Sequence, residues 1–477
     1  MLFSSVEFIV GFLPAIVALV YVAARVGGVR LAMLTVLAGS LVFYGWTYPA
    51  YVALMLASIG VNFGLGRKIA ETKDKKLVAL GVALNLGALA WFKYAGLFSS
   101  TLTDITQLNL TVDGVVLPLA ISFFTFQQIA YLVDMLKPDR PNYSILDYAL
   151  FVAFFPQLIA GPIVHHKDLT PQFRGEHFAK FRIQDIERGA LLFAIGLAKK
   201  VLIADSLAPL ADDVFNTAAA GGSLSTIDAW AGTLAYTFQI YFDFSGYTDM
   251  ALGLAALFGV ALPQNFNSPY KAKSISDFWR RWHITLSEFL RDYLYIPLGG
   301  NRGGGFKRYR NLFIVMLLGG LWHGAAWTFM VWGGLHGAYL CVNHAWNRYV
   351  GKSVTLGAVP ATLITFMSVV VAWIFFRAAT FEAAFSVLGA MAGLSVQSAF
   401  FVIVHFAVLP MIVVAACLSW GAPNSIEITE RLLDPDTLRQ RWARAKAPLM
   451  SALGAACALS LFILIVSGPY EFIYFQF

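Results

Sequence analysis

The sequence predicts an all-α polytopic membrane protein, and three observations support that prediction. The 477 residues are 58% hydrophobic and only 13% charged, whereas soluble domains usually carry about a quarter charged residues. The apolar residues come in runs of about 20, which is the length that a helix needs to cross a bilayer. Lysine and arginine are concentrated between those runs, as they are in the loops of membrane proteins.

The apolar runs place the candidate spans in order along the chain. We predict them near 8–24, 31–46, 51–66, 77–97, 114–136, 189–210, 228–258, 311–327, 328–347, 356–376, 400–420 and 448–467. The boundaries of these spans vary by a few residues, and 311–347 can be counted as one broken element or as two spans. We therefore expect about 11 to 13 spans. No soluble domain is evident. We therefore treat 1–477 as one membrane domain, with peripheral spans in 1–136, a core in 137–350 and C-terminal spans in 351–477.

The basic loops orient these spans. The loop RKIAETKDKK (67–76) is strongly cationic and is therefore expected on the cytoplasmic side. Counting back through the spans places the N-terminus outside, and the stretch 100–114, which lacks lysine and arginine, is also expected outside. The net charge of +7 is then explained by topology and by contact with anionic lipid headgroups rather than by nucleic acid.

Two apolar segments have cytoplasmic signals on both sides. The segment YALFVAFFPQLIAGPIV (148–164) follows Lys137 and precedes Lys167, and Pro156 interrupts its helix. The segment 283–300 presents the same conflict. We predict that both are re-entrant, which requires that their irregular backbone is buried in protein or lines a wet cavity.

A histidine occupies the middle of an apolar run in GGLWHGAAW (319–327). His323 follows Trp322 and lies between two pairs of small residues, which allow another backbone or a substrate to approach closely. One interpretation is an ordinary buried histidine with a satisfied hydrogen bond. The other is a general base, because a neutral imidazole takes up and returns protons near pH 7.

A cationic stretch surrounds a second histidine in ISDFWRRWHITLSEFLRDYLYIPLGGNRGG (275–304). His283 and Ser287 are four residues apart and share a face if the segment is helical. The basic residues in and beside this stretch are Lys271, Lys273, Arg280, Arg281 and Arg302. They either fix topology at a lipid interface or form a cytoplasmic funnel for a phosphate-bearing donor.

Acidic side chains occur inside the apolar run QIYFDFSGYTDMALG (239–253). The run contains Asp243, Ser245, Tyr247 and Asp249. Its two carboxylates either pair with a nearby arginine or cap a helix broken at Gly246, or they orient a histidine and fix its tautomer. A third histidine, His336, is a weaker candidate for lining the same cavity. It follows His323 by thirteen residues and would lie on another face of a straight helix.

The motifs DFSGYTDMALG, FWRRWHITLSEFLRDYLYIPLGGNR, LWHGAAWTFMVWGGLHG and FIYFQF resemble those of membrane-bound O-acyltransferases, in the branch of bacterial alginate O-acetyltransferase membrane subunits. The resemblance implies a bundle with re-entrant helices that form a cytoplasmic funnel. It also implies that His323 is catalytic and that His283 matches a second family histidine. The expected location is a bacterial inner membrane, with a periplasmic N-terminus.

The resemblance further implies an O-acetyltransferase that takes acetyl groups from cytoplasmic acetyl-CoA. A periplasmic or membrane-anchored partner protein would complete transfer to a cell-envelope polysaccharide, with an alginate-like exopolysaccharide as the first expectation and peptidoglycan or cellulose as alternatives. No bound cofactor, metal or nucleic acid is expected. The main rival is an exporter or flippase for a polysaccharide intermediate, a class that usually shows two related halves.

Overall fold

The computed structural model describes residues 1–108, 112, 117–138, 142–351, 356–395, 399–433 and 443–473. These residues form helices joined by turns, and no strand occurs among them, which confirms the predicted all-α class. Three features of the sequence lie partly outside the described residues: the loop 100–114, the stretch 431–446, whose lysines and arginines predict a cytoplasmic location, and the FIYFQF motif.

The described chain divides into two compact units, each built from separate stretches of sequence. The first unit comprises Met1–Leu197, Tyr247–Pro263 and Thr429–Pro469, and the second comprises Ala198–Gly246, Gln264–Ile428 and Tyr470–Phe477.

The helices of the first 198 residues are Glu7–Phe12, Leu13–Gly45, Ala50–Thr72, Lys75–Leu89, Ala90–Tyr94, Ala95–Thr106, Ile121–Asp134, Ile145–Ala153, Phe155–Leu158, His166–Leu169, Thr170–Arg174 and Ile183–Ala198. The later helices are Lys199–Ala204, Asp205–Ala219, Thr226–Leu257, Pro269–Lys271, Ile275–Trp279, Ile284–Leu290, Arg291–Tyr295, Gly305–His323, Trp327–Tyr349, Ala358–Arg377, Phe381–Met391, Phe401–Val404, Val408–Gly421, Ser425–Leu433 and Ala443–Ser467.

Several helices are suited to a bilayer. Five in the described chain are long and apolar enough to cross it: Glu7–Gly45, Ala50–Thr72, Lys75–Thr106, Ala358–Arg377 and Ala447–Ser467. A bent pair, Val408–Gly421 with Ser425–Leu433, adds a sixth if it is counted as one span. The protein is therefore a multi-pass membrane protein, while the total of about 11 to 13 spans stays a prediction.

The longest of these helical runs is a hairpin rather than a single rod. The backbone leaves helical geometry at Gly28, where φ is 69° and ψ is −168°. Beyond that break the chain returns, because the rings of Phe12 and Phe43 lie 6.0 Å apart. A Cβ on Gly39 would lie 2.4 Å from the Cδ1 atom of Ile16, so glycine allows the two arms to approach closely. The arms match the predicted spans 8–24 and 31–46.

The segment 148–164 is broken where the sequence predicts. Helix Ile145–Ala153 ends at Phe154, and a short turn, Phe155–Leu158, follows. The phenylalanine rings at this break are fully buried, so its backbone polar groups need internal partners. Ser40 Oγ accepts from the Phe155 N–H at 3.1 Å, and Gln157 Nε2 donates to the Phe151 carbonyl at 2.6 Å.

The second unit contains the other predicted break. The segment 283–300 consists of a short helix, Ile284–Leu290, and a π-helical turn, Arg291–Tyr295. Helix Gly305–His323 ends at an extended Gly324, and helix Trp327–Tyr349 begins three residues later. We call these last two helices the histidine hairpin. The prediction that 311–347 is a broken element is confirmed.

Candidate active site

His323 lies at the turn of the histidine hairpin. The two arms touch through glycines, since a Cβ on Gly320 would lie 2.3 Å from the Phe329 carbonyl oxygen and 3.0 Å from the Gly333 Cα. A Cβ on Gly333 would meet the Met316 carbonyl oxygen at 2.3 Å. The small residues that flank His323 in the sequence therefore bring two backbones together at the site.

Aromatic rings enclose His323. His323 is only 4% exposed. The ring centroids of Trp322 and Trp332 each lie 5.0 Å from the imidazole centroid. Phe376 lies 5.3 Å away on a third side. The planes of these three rings make angles of 72°, 84° and 68° with the imidazole plane, which are edge-to-face arrangements. The imidazole therefore sits in an apolar, water-poor setting.

His283 is fully buried close to His323, with their ring centroids 6.4 Å apart. His283 has a left-handed backbone (φ 42°) at the start of helix Ile284–Leu290. Its Nδ1 lies 3.1 Å from Asn265 Oδ1, which also accepts from the Thr285 N–H and hydroxyl at 3.3 and 3.0 Å. Because the Thr285 N–H fixes that atom as oxygen, Nδ1 of His283 carries the ring proton and Nε2 presents a lone pair.

His336 joins the same cluster although it lies on the other arm of the hairpin. Trp332 connects the two histidines, with its centroid 5.0 Å from His323 and 4.9 Å from His336. The indole N–H of Trp279 donates to His336 Nδ1 at 3.3 Å. The straight-helix expectation that His336 faces elsewhere does not apply, because the chain reverses between the two histidines.

The side chains of the DFSGYTD motif do not lie together in one cluster. They lie on the continuous helix Thr226–Leu257, so the helix is not broken at Gly246. Asp243 is buried and paired with Lys200 at 2.8 Å, and it also accepts from the Ile473 N–H at 2.9 Å. Of the two roles that the sequence left open, the structure gives Asp243 a cation partner, although this is a lysine and not an arginine, and the hydrogen-bond partner of His283 Nδ1 is Asn265.

The remaining motif residues have other surroundings. Ser245 accepts from Lys199 Nζ at 3.4 Å. Tyr247 and Asp249 belong to the first unit, where both are buried and Tyr247 stacks on Phe3 at 4.7 Å.

An arginine-lined cavity of about 540 Å³ lies in the second unit, beside these histidines. Three guanidinium-bearing residues, Arg280, Arg291 and Arg308, line it, together with Ser287 and Glu288. Its wall also includes Trp279, which bonds to His336, and Ile284, which follows His283 in sequence. His323 and His283 themselves are not among the residues that line the cavity.

Of the five predicted donor-binding cations, only Arg280 lines the cavity. Lys271 donates to the Ala422 carbonyl at 2.6 Å, and Arg281 is paired with Asp277 at 2.9 Å. Lys273 and Arg302 are exposed. The sequence interpretation did not include the cavity residues Arg291 and Arg308, although Arg291 lies within the basic stretch 275–304 and Arg308 lies just beyond it. It also missed Lys200, which the rule for charges inside apolar runs would have found.

Comparison with known proteins identifies the chain's relatives. The family model of the membrane-bound O-acyltransferases (MBOAT) matches residues 135–385. The chain is 45% identical over 426 residues to the peptidoglycan O-acetyltransferase of Helicobacter pylori, covering 83% of this chain and 80% of the relative. It is 42% identical over 407 residues to the probable alginate O-acetylase AlgI of Pseudomonas aeruginosa, covering 82% and 75%. A teichoic acid D-alanyltransferase of Bacillus subtilis is 29% identical over 252 residues, covering 48% and 60%. The buried histidines thus lie within the matched region, and the chain belongs to the membrane-bound O-acyltransferase family.

Proposed function

We propose that this protein is an O-acetyltransferase that uses cytoplasmic acetyl-CoA and His323 as general base. The observation that carries the proposal is the pairing of two buried histidines, 6.4 Å apart, with an adjacent cavity lined by three arginines. Guanidinium groups bind phosphates in a forked geometry, which suits the phosphates of coenzyme A. The relatives named as a peptidoglycan O-acetyltransferase and a probable alginate O-acetylase support the acetyl group as cargo.

The chemistry follows from this arrangement. His323 removes the proton of an acceptor hydroxyl while the oxygen attacks the thioester carbonyl, an assistance worth roughly 10²–10⁴-fold in rate. The C–S bond then breaks, and the imidazolium gives this proton to the leaving coenzyme A thiolate. His283, with its Nδ1 held by Asn265, offers the Nε2 lone pair to an acceptor hydroxyl and so helps to orient it.

The acceptor is a cell-envelope glycan, reached through a periplasmic or membrane-anchored partner protein. An alginate-like exopolysaccharide is the first candidate. Peptidoglycan is the second, because a relative named as a peptidoglycan O-acetyltransferase is 45% identical over 83% of this chain.

Replacement of His323 tests the proposal. His323→Ala is expected to leave the protein in the membrane but to remove acetyl esters from the cell-envelope glycan, measured after mild alkaline release. His405→Ala is a matched control, because His405 bonds to Asp213 at 2.7 Å, outside the histidine cluster, and should keep acetylation. Wild-type acetyl content in His323→Ala would refute the catalytic role. Loss of polymer export with normal acetylation of the retained polymer would favour the transporter class.

A further inference from the structure

One face of helix Trp327–Tyr349 carries three buried polar hydrogens that have no hydrogen-bond partner in the described part of the chain. They belong to the Thr328 hydroxyl, the Trp332 indole and the His336 ring, at most 3% exposed as residues. The spacing of four residues places all three on the same side of the helix. Buried donors normally have a hydrogen-bond partner. Three buried donors on one face of a helix therefore indicate a place where a molecule from outside the chain accepts their hydrogen bonds.

The tautomer of His336 is fixed by its neighbour. An indole nitrogen can only donate, so the bond from Trp279 makes Nδ1 of His336 an acceptor. The ring proton is then on Nε2, which is buried and has no partner among the described residues. His336 therefore offers an N–H donor rather than a basic lone pair, which is the opposite of the tautomer that Asn265 imposes on His283.

The two ring donors lie beside the proposed general base. The Trp332 centroid is 5.0 Å from that of His323 and 4.9 Å from that of His336. A group that reacts at His323 would thus develop its charge next to two neutral N–H donors in an apolar setting. There, a hydrogen bond to an anion is stronger than it is in water.

We propose that Trp332 Nε1–H and His336 Nε2–H stabilise the oxyanion of the tetrahedral intermediate, with Trp279 as the positioning residue that sets the His336 tautomer. The inference rests on the proposed acetyl transfer. Attack of the hydroxyl oxygen forms a C–O bond, and the carbonyl π pair moves to oxygen, where the two N–H groups donate to it. Collapse re-forms the C=O bond and breaks the C–S bond, and the thiolate leaves with the proton that His323 had accepted.

Single substitutions that delete or retain one N–H donor at a time test this assignment. Trp332→Phe should lower kcat by roughly 10²–10³-fold, the range for loss of one oxyanion donor, with KM for acetyl-CoA unchanged. His336→Gln keeps an amide N–H in place of Nε2–H and should retain far more activity than His336→Leu. The matched control is Trp420→Phe, because that indole donates to the Tyr270 carbonyl at 2.9 Å and should keep kcat.

The measurements are steady-state kinetics of the full-length protein in lipid nanodiscs, with labelled acetyl-CoA, and a thermal unfolding midpoint for each variant. The assignment is overturned if folded Trp332→Phe keeps the kcat of Trp420→Phe, if only KM changes, or if His336→Gln and His336→Leu are equally active. A wild-type protein that transfers no acetyl group would instead remove the proposed function, and this inference with it.

Discussion

At the scale of single residues, neutral hydrogen-bond partners rather than carboxylates fix the tautomers of His283 and His336. Asn265 gives His283 a protonated Nδ1, while Trp279 gives His336 a protonated Nε2. A neutral partner fixes a tautomer without adding a charge, which keeps the imidazole uncharged in an apolar setting. The buried carboxylate of Asp243 is occupied by Lys200, so its charge is balanced outside the histidine cluster.

The arginines of the cavity should act on the donor rather than on the chemical step. We expect Arg280→Gln and Arg308→Gln each to raise KM for acetyl-CoA roughly 10- to 100-fold, since a hydrogen bond to a charged group is worth about 1.5–3 kcal/mol. Each variant should also weaken the dependence of KM on ionic strength. The kinetics with acetyl-CoA at several salt concentrations measure both effects.

Lys273→Gln is the control for these variants, because Lys273 is exposed and is not a lining residue of the cavity. An unchanged KM in both arginine variants would mean that the donor binds elsewhere.

At the scale of elements, the histidine hairpin holds the site through backbone contact. Gly320 and Gly333 lie where any side chain would meet a carbonyl oxygen of the opposite arm at 2.3 Å. Trp332 and His336 on the second arm then reach the aromatic shell of His323 on the first. The distance between the arms therefore decides whether the three rings meet.

Separating the arms should cost both stability and activity. Gly320→Ala is expected to destabilise the fold by about 1–3 kcal/mol, because its Cβ meets backbone atoms that have to shift. Gly334→Ala in the same helix pair is the control, since its nearest atoms are side-chain carbons at 3.6 and 3.9 Å and alanine favours helix. Thermal unfolding in detergent and acetyl-transfer rates compare the two. Equal behaviour would argue against close packing at Gly320.

At the scale of the whole molecule, exposed apolar surface marks the face that meets lipid. Phe462 and Ile465, on the span Ala447–Ser467, are 62% and 68% exposed. Such a surface is unfavourable in water but matches the hydrocarbon core of a bilayer. By contrast, half of the most apolar window in Ala358–Arg377 is buried within the protein, and that helix carries Phe376 to His323.

The positive-inside pattern predicts a topology that chemical labelling can test. With Cys341, Cys417 and Cys457 replaced by alanine, a cysteine at the exposed Lys76 should react with an impermeant maleimide only in inside-out vesicles. A cysteine at the exposed Asp104 should react only in right-side-out vesicles. Labelling of both from the same side would contradict the predicted orientation of the N-terminal spans.

The sequence by itself determined the class of protein and several breaks in its helices, although not the break considered at Gly246, and it singled out the histidines that the fold brings together. Those features depend on local composition: apolar length, proline and glycine positions, and a titratable ring inside an apolar run. The N-terminal hairpin and the break in 148–164 are therefore confirmed, and the predicted break within 311–347 is confirmed at Gly324, a few residues before the expected boundary at 327.

Only the tertiary structure decided which side chains meet. Asn265 precedes His283 by 18 residues and Lys200 precedes Asp243 by 43, and no periodic pattern links residues so far apart. The reversal of the chain at Gly324 brings the helix that carries Trp332 and His336 back to His323, against the geometry of a straight helix. The cavity is likewise lined by Arg291 and Arg308, while Lys271 donates to the Ala422 carbonyl and Arg281 pairs with Asp277.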